Sequence, residues 1–547
     1  MTHLSLAFFL LCAAVPMAEA QRVATPASRV NAALRPEAIW APLRFLSDDL
    51  LEGRGTGARG GDLAAAYLAS QLMALGLEPA GDSGTFFHQV PIVTLNPAAT
   101  MRVTGGGAER ALRFRDDFVA WAERAESVVT ANAELVFVGY GITAPEERWN
   151  DYKGMDVRGK ILVMLVNDPG LRDPAIFRGR ILTYYGRWTY KLEEAARQGA
   201  LGVLLVHNDT MATYGWATVQ NSWTGDQVRL LTPPTSLAFA GWVQQGVADD
   251  LFRSRGLDLA RLMEAASRRD FQPVATGLTA EVTVRSAMRL TRAANVVGRL
   301  RGSDPVLADE AVVIGGHYDH LGIGQPVGGD SIMNGALDNA SGTAAILGLA
   351  DAFVRSGVRP RRSLVFILFT GEEKGLLGSA AFAQRPTLPL ANLAAMLNVD
   401  VTNLYGATRD IAALGVDQSS LGADFTRAAR TEGLRVTTDS SALLRGSFFR
   451  SDHFPFAKAG VPALSLESGT EMVGRPAGWL EEQSAEYNRA RYHQVDDELL
   501  DWYTLDGTLQ QLRVIARLAL MAGNAPAHPA WSTTSEFRVA GEARRGR

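Results

Sequence analysis

The chain is nearly devoid of cysteine: Cys12 is the only one in 547 residues. That excludes an intramolecular disulfide framework and any thiolate zinc cluster of the Cys-x-x-Cys kind. Any metal must be held by His, Asp and Glu. An excess of either charge is also missing, since 54 basic and 58 acidic residues leave a formal charge of −4. No basic surplus points to nucleic acid or to an anionic membrane surface. Long apolar runs are absent beyond the N-terminus. Ile161–Val166 and Leu364–Phe369 are far shorter than the roughly 18–20 residues a spanning helix needs, and read as buried strands. What is present is globular, with 47% hydrophobic and 20% charged residues, values that argue against wholesale disorder. The length exceeds one core of about 100–200 residues, so two or more domains are expected. Nothing in the pattern specifies an oligomeric state.

The first 20 residues read as a signal peptide. Leu4 to Val15 form an apolar stretch of secretory length, and Ala18-Glu19-Ala20 is a small-x-small pattern that places cleavage before Gln21. The expected location is periplasmic or extracellular. Leu11 precedes Cys12, unlike a bacterial lipoprotein signal, so no lipid anchor is expected there.

Residues 36–77 have helical character around the turn Gly53-Arg54-Gly55-Thr56-Gly57, and Leu63, Tyr67, Leu68, Leu72 and Leu75 recur at helical spacing. The turn lacks the Lys-Ser/Thr of a phosphate loop and reads as a plain loop. From Glu134 the texture changes. Short apolar strands alternate with turns, with one helix at residues 190–198, and this portion reads as an inserted module. From Ala311 short buried strands alternate with helices, the pattern of an α/β sheet covered by helices. The tail after Ala525, rich in Ala, Arg, Ser and Thr, reads as mobile.

Five segments carry the chemistry. Gly315-Gly316-His317-Tyr318-Asp319 ends a buried strand, at the carboxyl edge where sites assemble in α/β sheets. Asp319 is expected behind His317, accepting from its second ring nitrogen. Asp338, in Leu337-Asp338-Asn339-Ala340-Ser341-Gly342, sits before a helix, where its carboxylate could bridge two cations. Thr370-Gly371-Glu372-Glu373 follows another strand. Adjacent carboxylates repel, so one is expected on a cation and the other to handle protons. Asp400 ends a fourth segment and His493, after Tyr492, a fifth. Singly, each has a structural explanation such as a helix cap or N-terminal charge. Together, two His and three or four carboxylates suit a pair of zinc ions.

Residues 311–500 resemble the catalytic domain of the M28 family of zinc-dependent exopeptidases, which includes aminopeptidases and glutamate carboxypeptidase-type members. The resemblance implies His317, Asp338, Glu373, Asp400 and His493 as ligands of two Zn2+ per chain, with Asp338 bridging and Glu372 as general base. It extends to residues 46–57 and 86–90, similar to the family's N-terminal part. Gly139-Tyr140-Gly141 and Gly159-Lys160-Ile161-Leu162-Val163 resemble a protease-associated (PA) domain. The implied organisation is a signal peptide over 1–20, the N-terminal part of the peptidase over 30–125, a mainly β PA insert over 130–275, the catalytic part over 280–525 and a tail over 526–547. The implied fold is a mixed central sheet sandwiched by helices.

The expected activity is removal of N-terminal residues from a peptide substrate, with Tyr492 resembling a tyrosine that donates to the developing oxyanion in some relatives. Carboxypeptidase action, cyclisation of N-terminal glutamine, and a non-catalytic binding ectodomain stay open. Ser451-Asp452-His453 also resembles a family segment near the site. No role is assigned to His453, and His320 reads as structural.

Overall fold

A computed structural model describes residues 24–212, 214–232 and 235–546. The signal segment and Cys12 lie outside the described residues. Among the described residues no helix is long and apolar enough to cross a membrane.

One strand organises the sheet. Val274–Leu300 runs for 27 residues and pairs antiparallel with Phe87–Gly105 over residues 279–296. Its N-terminal part also pairs with Val128–Phe137 and its end with Ser363–Phe369, so it is shared by both halves of the molecule. Outward on one side follow Ser363–Phe369, Ala311–His317, Leu393–Val399 and Ala463–Ser468, all parallel, then Asp410–Leu414, antiparallel. On the other side Val128–Phe137, Ile161–Leu165, Gly202–His207 and Phe239–Gln244 run parallel, and Phe118–Ala122 closes the edge antiparallel. The architecture is the mixed α/β sheet expected.

Parallel neighbours require long crossovers, usually helical. Trp188–Arg197 lies between two such strands, and Gln245–Arg253 and Leu259–Ala265 follow the last. The segment expected as a mainly β module is therefore mixed.

The catalytic strands are buried on both faces, as parallel sheets are. Val312, Ile314, Leu364 and Phe366 face one core, with the helices Ser341–Ser356 and Asp506–Asn524, whereas Val313, Val365 and Ile367 face a second core that continues into residues 130–275. The alternation follows from the two-residue period of a strand. Each such side chain contributes about 1.5–3 kcal/mol on burial.

Two expectations are corrected. In the helix Arg59–Ala74, Leu68 and Leu72 are buried but Leu63 is 39% exposed. The packed side starts from small residues instead: a Cβ on Gly60 would lie 1.8 Å from the Leu51 carbonyl oxygen, so only glycine permits that approach. The segment after Ala525 is docked rather than free. Trp531 donates from Nε1 to the Gly460 carbonyl at 3.0 Å, Phe537 is buried, and a short helix spans Arg538–Arg544. Composition hid this because two aromatic anchors suffice to hold a polar segment.

Candidate metal centre

Three parallel strands end on one edge, and chain geometry delivers the polar side chains there. Gly315 and Gly316 precede His317 because the neighbouring strands leave no room; a Cβ on Gly316 would sit 2.2 Å from the Val399 carbonyl oxygen. His317 follows with its ring buried. Asp338 lies in the irregular turn Ala336–Ala340 that opens the helix Ser341–Ser356. Glu372 and Glu373 follow Ser363–Phe369, and Asp400 follows Leu393–Val399. His493 comes from a loop, in the left-handed backbone region at φ +59°, an arrangement that costs a non-glycine residue about 1–2 kcal/mol.

The structure brings these residues together in two groups that share Asp338. His317 Nε2 is 3.3 Å from Asp338 Oδ1 and 3.1 Å from Asp400 Oδ1. His493 Nε2 is 3.4 Å from Asp338 Oδ2 and 3.1 Å from Glu373 Oε2. Each group is thus one imidazole and two carboxylates, and the two oxygens of Asp338 face different imidazoles. Ligand atoms of His317, Asp338 and Glu373 all lie within 4.8 Å of one another. Glu373 Oε1 and His493 Nε2 are buried with close polar neighbours but no well-aligned hydrogen bond, an arrangement that a cation between them would satisfy. The donor set is that of zinc sites built without thiolates. The residues present fit the metal.

The electrostatics agree with that chemistry. Burial pushes the Glu372 carboxyl well above the usual carboxylate range, and the charges of Asp400 and Glu373 add to the rise. Burial opposes a charged His317, but Asp400 and Glu372 outweigh it and hold the imidazole well above its ordinary value. Clustered carboxylates thus compete for protons when no cation separates them.

Asp319 is placed differently from expectation. His317 Nδ1 lies 3.1 Å from the Asp319 backbone carbonyl and 3.8 Å from its carboxylate, so the carbonyl orients the ring. The Asp319 carboxylate instead accepts from Thr56 Oγ1 at 2.7 Å and from the Glu372 N–H at 3.2 Å. It thereby ties the Glu372 backbone to the glycine-rich turn.

Four residues given no role from the sequence support the site. Asp497 accepts from the Leu337 and Asp338 N–H groups, each at 3.1 Å, and clamps the turn that carries Asp338. Asn339 donates to the His317 and Val399 carbonyls at 3.2 and 3.1 Å and accepts from the Gly342 and Val401 N–H groups at 2.9 Å. Arg54 is fully buried and donates to the carbonyls of Tyr318 at 2.7 Å, Asn334 at 2.6 Å and Gly335 at 3.0 Å. The turn read as a plain loop is the scaffold beneath two site loops. Ser451 donates to Asp400 Oδ2 at 2.6 Å. The signal available for Arg54 was an arginine inside a glycine run, which nothing local distinguishes from a surface turn.

Tyr492 is 45% exposed, and its ring stacks on His493 with centroids 3.8 Å apart. His320, read as structural, lies with Nδ1 2.7 Å from Glu373 Oε1, against the second group. His453 is fully buried against Phe448, with ring centroids 4.7 Å apart, as a core histidine.

Imidazoles and carboxylates gathered at the strand ends of an α/β sheet form a donor set that suits a metal ion. Residues 295–516 match Peptidase family M28. A probable zinc metalloprotease of Pyrenophora tritici-repentis is 27% identical over 264 residues, 43% of this chain and 58% of the relative. A probable glutamate carboxypeptidase of Arabidopsis thaliana is 30% identical over 200 residues, 35% of this chain and 26% of the relative. The chain thus spans between about a quarter and three-fifths of these relatives' lengths. Among solved structures, an aminopeptidase from Aneurinibacillus sp. strain AM-1 is similar over 92% of this chain and 97% of its own, at 21% identity and a TM-score of 0.44.

Proposed function

We propose that the protein is an exported di-zinc exopeptidase that removes N-terminal residues from peptides. The observation that carries this reading is the division of Asp338 between two imidazole–carboxylate groups, with His317 and Asp400 on one side and His493 and Glu373 on the other. His317, Asp338 and Asp400 would hold one zinc ion, and Asp338, Glu373 and His493 the second. Bound there, zinc lowers the pKa of water from 15.7 toward about 7 and polarises a peptide carbonyl.

Glu372 is the general base. It takes a proton from the attacking water and returns it to the nitrogen of the leaving amine as the C–N bond breaks. Asp319, through the Glu372 N–H, holds the base in place. Tyr492 is assigned to donate to the developing oxyanion; its ring stack on His493 keeps it beside the site. Residues 130–275 are assigned to an inserted PA domain and residues 1–20 to a signal peptide.

The test is a mixed peptide library, free and N-acetylated, given to the zinc-loaded protein and read by mass spectrometry, with Glu372→Gln as control. Shortening from the N-terminus, blocked by acetylation and lost in the variant, is the expected result. Loss of C-terminal residues would transfer the protein to the carboxypeptidase branch.

A further inference from the structure

We infer that the cleft between the inserted module and the loop after Glu373 binds a carboxylate of the peptide substrate, with Arg229 and Lys374 as its receptors. The inference rests on the peptidase reading above and names the substrate class. The cleft encloses about 470 Å³ and reaches the candidate metal ligand Glu373, a size ordinary for a site that takes a small organic ligand.

The cleft's acids are engaged. Glu123 accepts from Trp121 Nε1 at 2.6 Å and from Thr235 Oγ1 at 2.9 Å. Asp226 accepts from Asn96 Nδ2 at 2.9 Å. Glu193 pairs with Lys458 and with the Tyr184 hydroxyl. Its cations are less fully bonded. Among the described residues Lys374 has no ion-pair or hydrogen-bond partner. Arg229 has one distant contact, with NH1 3.6 Å from Glu123 Oε1, and its buried Nε has no hydrogen-bond partner.

A guanidinium left without hydrogen bonds is held still all the same. Its central carbon lies 5.5 Å from the Trp121 ring centroid and 5.7 Å from that of Trp223, and those rings stack on each other at 4.0 Å. Lying against both indoles limits the movement of the fork before a ligand arrives, so less freedom is lost on binding. A planar array of five N–H donors matches a carboxylate in two parallel hydrogen bonds. Lys374 adds a point charge one residue from Glu373. A short peptide lying across the metal centre would therefore be drawn into the cleft by a negative group, either its own C-terminal carboxylate or an Asp or Glu side chain.

The experiment compares kcat/KM for two pairs of short peptides: free acid against C-terminal amide, and a Glu-containing peptide against its Gln counterpart. One pair is expected to favour the carboxylate form by about tenfold or more, through KM, the usual worth of a charge-assisted pair. Whichever pair shows the preference identifies the source. In Arg229→Met the preference falls toward unity; in Arg229→Lys, which keeps the charge without the fork, it is intermediate. Binding is read separately in Glu372→Gln by tryptophan fluorescence, since Trp121 and Trp223 flank the guanidinium. Saturable quenching by the acid, weakened in Glu372→Gln/Arg229→Met, supports the cleft assignment even if no peptide is hydrolysed, an outcome that would remove only the peptidase reading. Hydrolysis with equal acid and neutral rates, unchanged by Arg229→Met, would overturn the cleft assignment and leave the peptidase reading in place.

Discussion

At the residue scale, the proposed roles divide the site into groups that hold charge and groups that move protons. Glu372→Gln keeps the size of the side chain but cannot accept a proton at neutral pH. Turnover is expected to fall by 10² or more, the usual worth of a positioned base, while zinc content measured by atomic emission stays unchanged. Asp497 touches no candidate imidazole but orders the turn that carries Asp338. Asp497→Ala is expected to weaken zinc affinity by about 10–100-fold, read by competition with a chelator. His453 makes a pH prediction. Burial lowers its pKa to about 3, against an unfolded value of 6.5, so between those values the unfolded chain binds the extra proton. Its contribution to stability is therefore complete above about pH 6.5 and is lost as pH falls toward 3, at about 1.4 kcal/mol per pH unit inside the window. His453→Phe is expected to flatten that share of the acid-side fall in Tm; a curve parallel to wild type would refute it.

At the scale of elements, strand ends and the turns beneath them matter more than the strands. The three strands ending in His317, Glu372-Glu373 and Asp400 were visible as apolar runs with polar ends, because a strand buried on both faces has no other place for charge. The turn beneath was not visible. Arg54 joins the loops of Tyr318, Asn334 and Gly335 over more than 260 positions of sequence, and no local pattern encodes a partner so distant. Arg54→Met leaves several buried carbonyls unpaired at about 1–3 kcal/mol each. A Tm drop together with zinc loss on dialysis is the expected outcome.

At the scale of the whole molecule, residues 130–275 and the part that carries the candidate site share one continuous core and one long strand. The C-terminal segment closes that junction, with the Phe537 ring 6.2 Å from Tyr184 on one side and 5.9 Å from Phe448 on the other. Removing residues 526–547 exposes apolar surface on both sides. Burial of two large aromatics is worth several kcal/mol at about 25 cal/mol per Å², so calorimetry of the truncated chain should show a markedly lower Tm. An unchanged Tm would mean the segment contributes nothing to the junction.

The sequence alone determined the alternation of buried strands and helices, the absence of thiolate chemistry and which strand ends carry polar side chains. Those follow from short-range physics: the period of a strand, the polarity of its end, the chemistry of a side chain. Only the tertiary structure decided that Asp338 faces two imidazoles, that a carbonyl rather than the Asp319 carboxylate orients His317, and that the glycine-rich turn carries the scaffold arginine. It also decided that the polar tail is anchored and that Arg229 meets a cleft. Each of these depends on contacts between segments far apart in the chain, set by packing and backbone direction, which no local pattern of residues specifies.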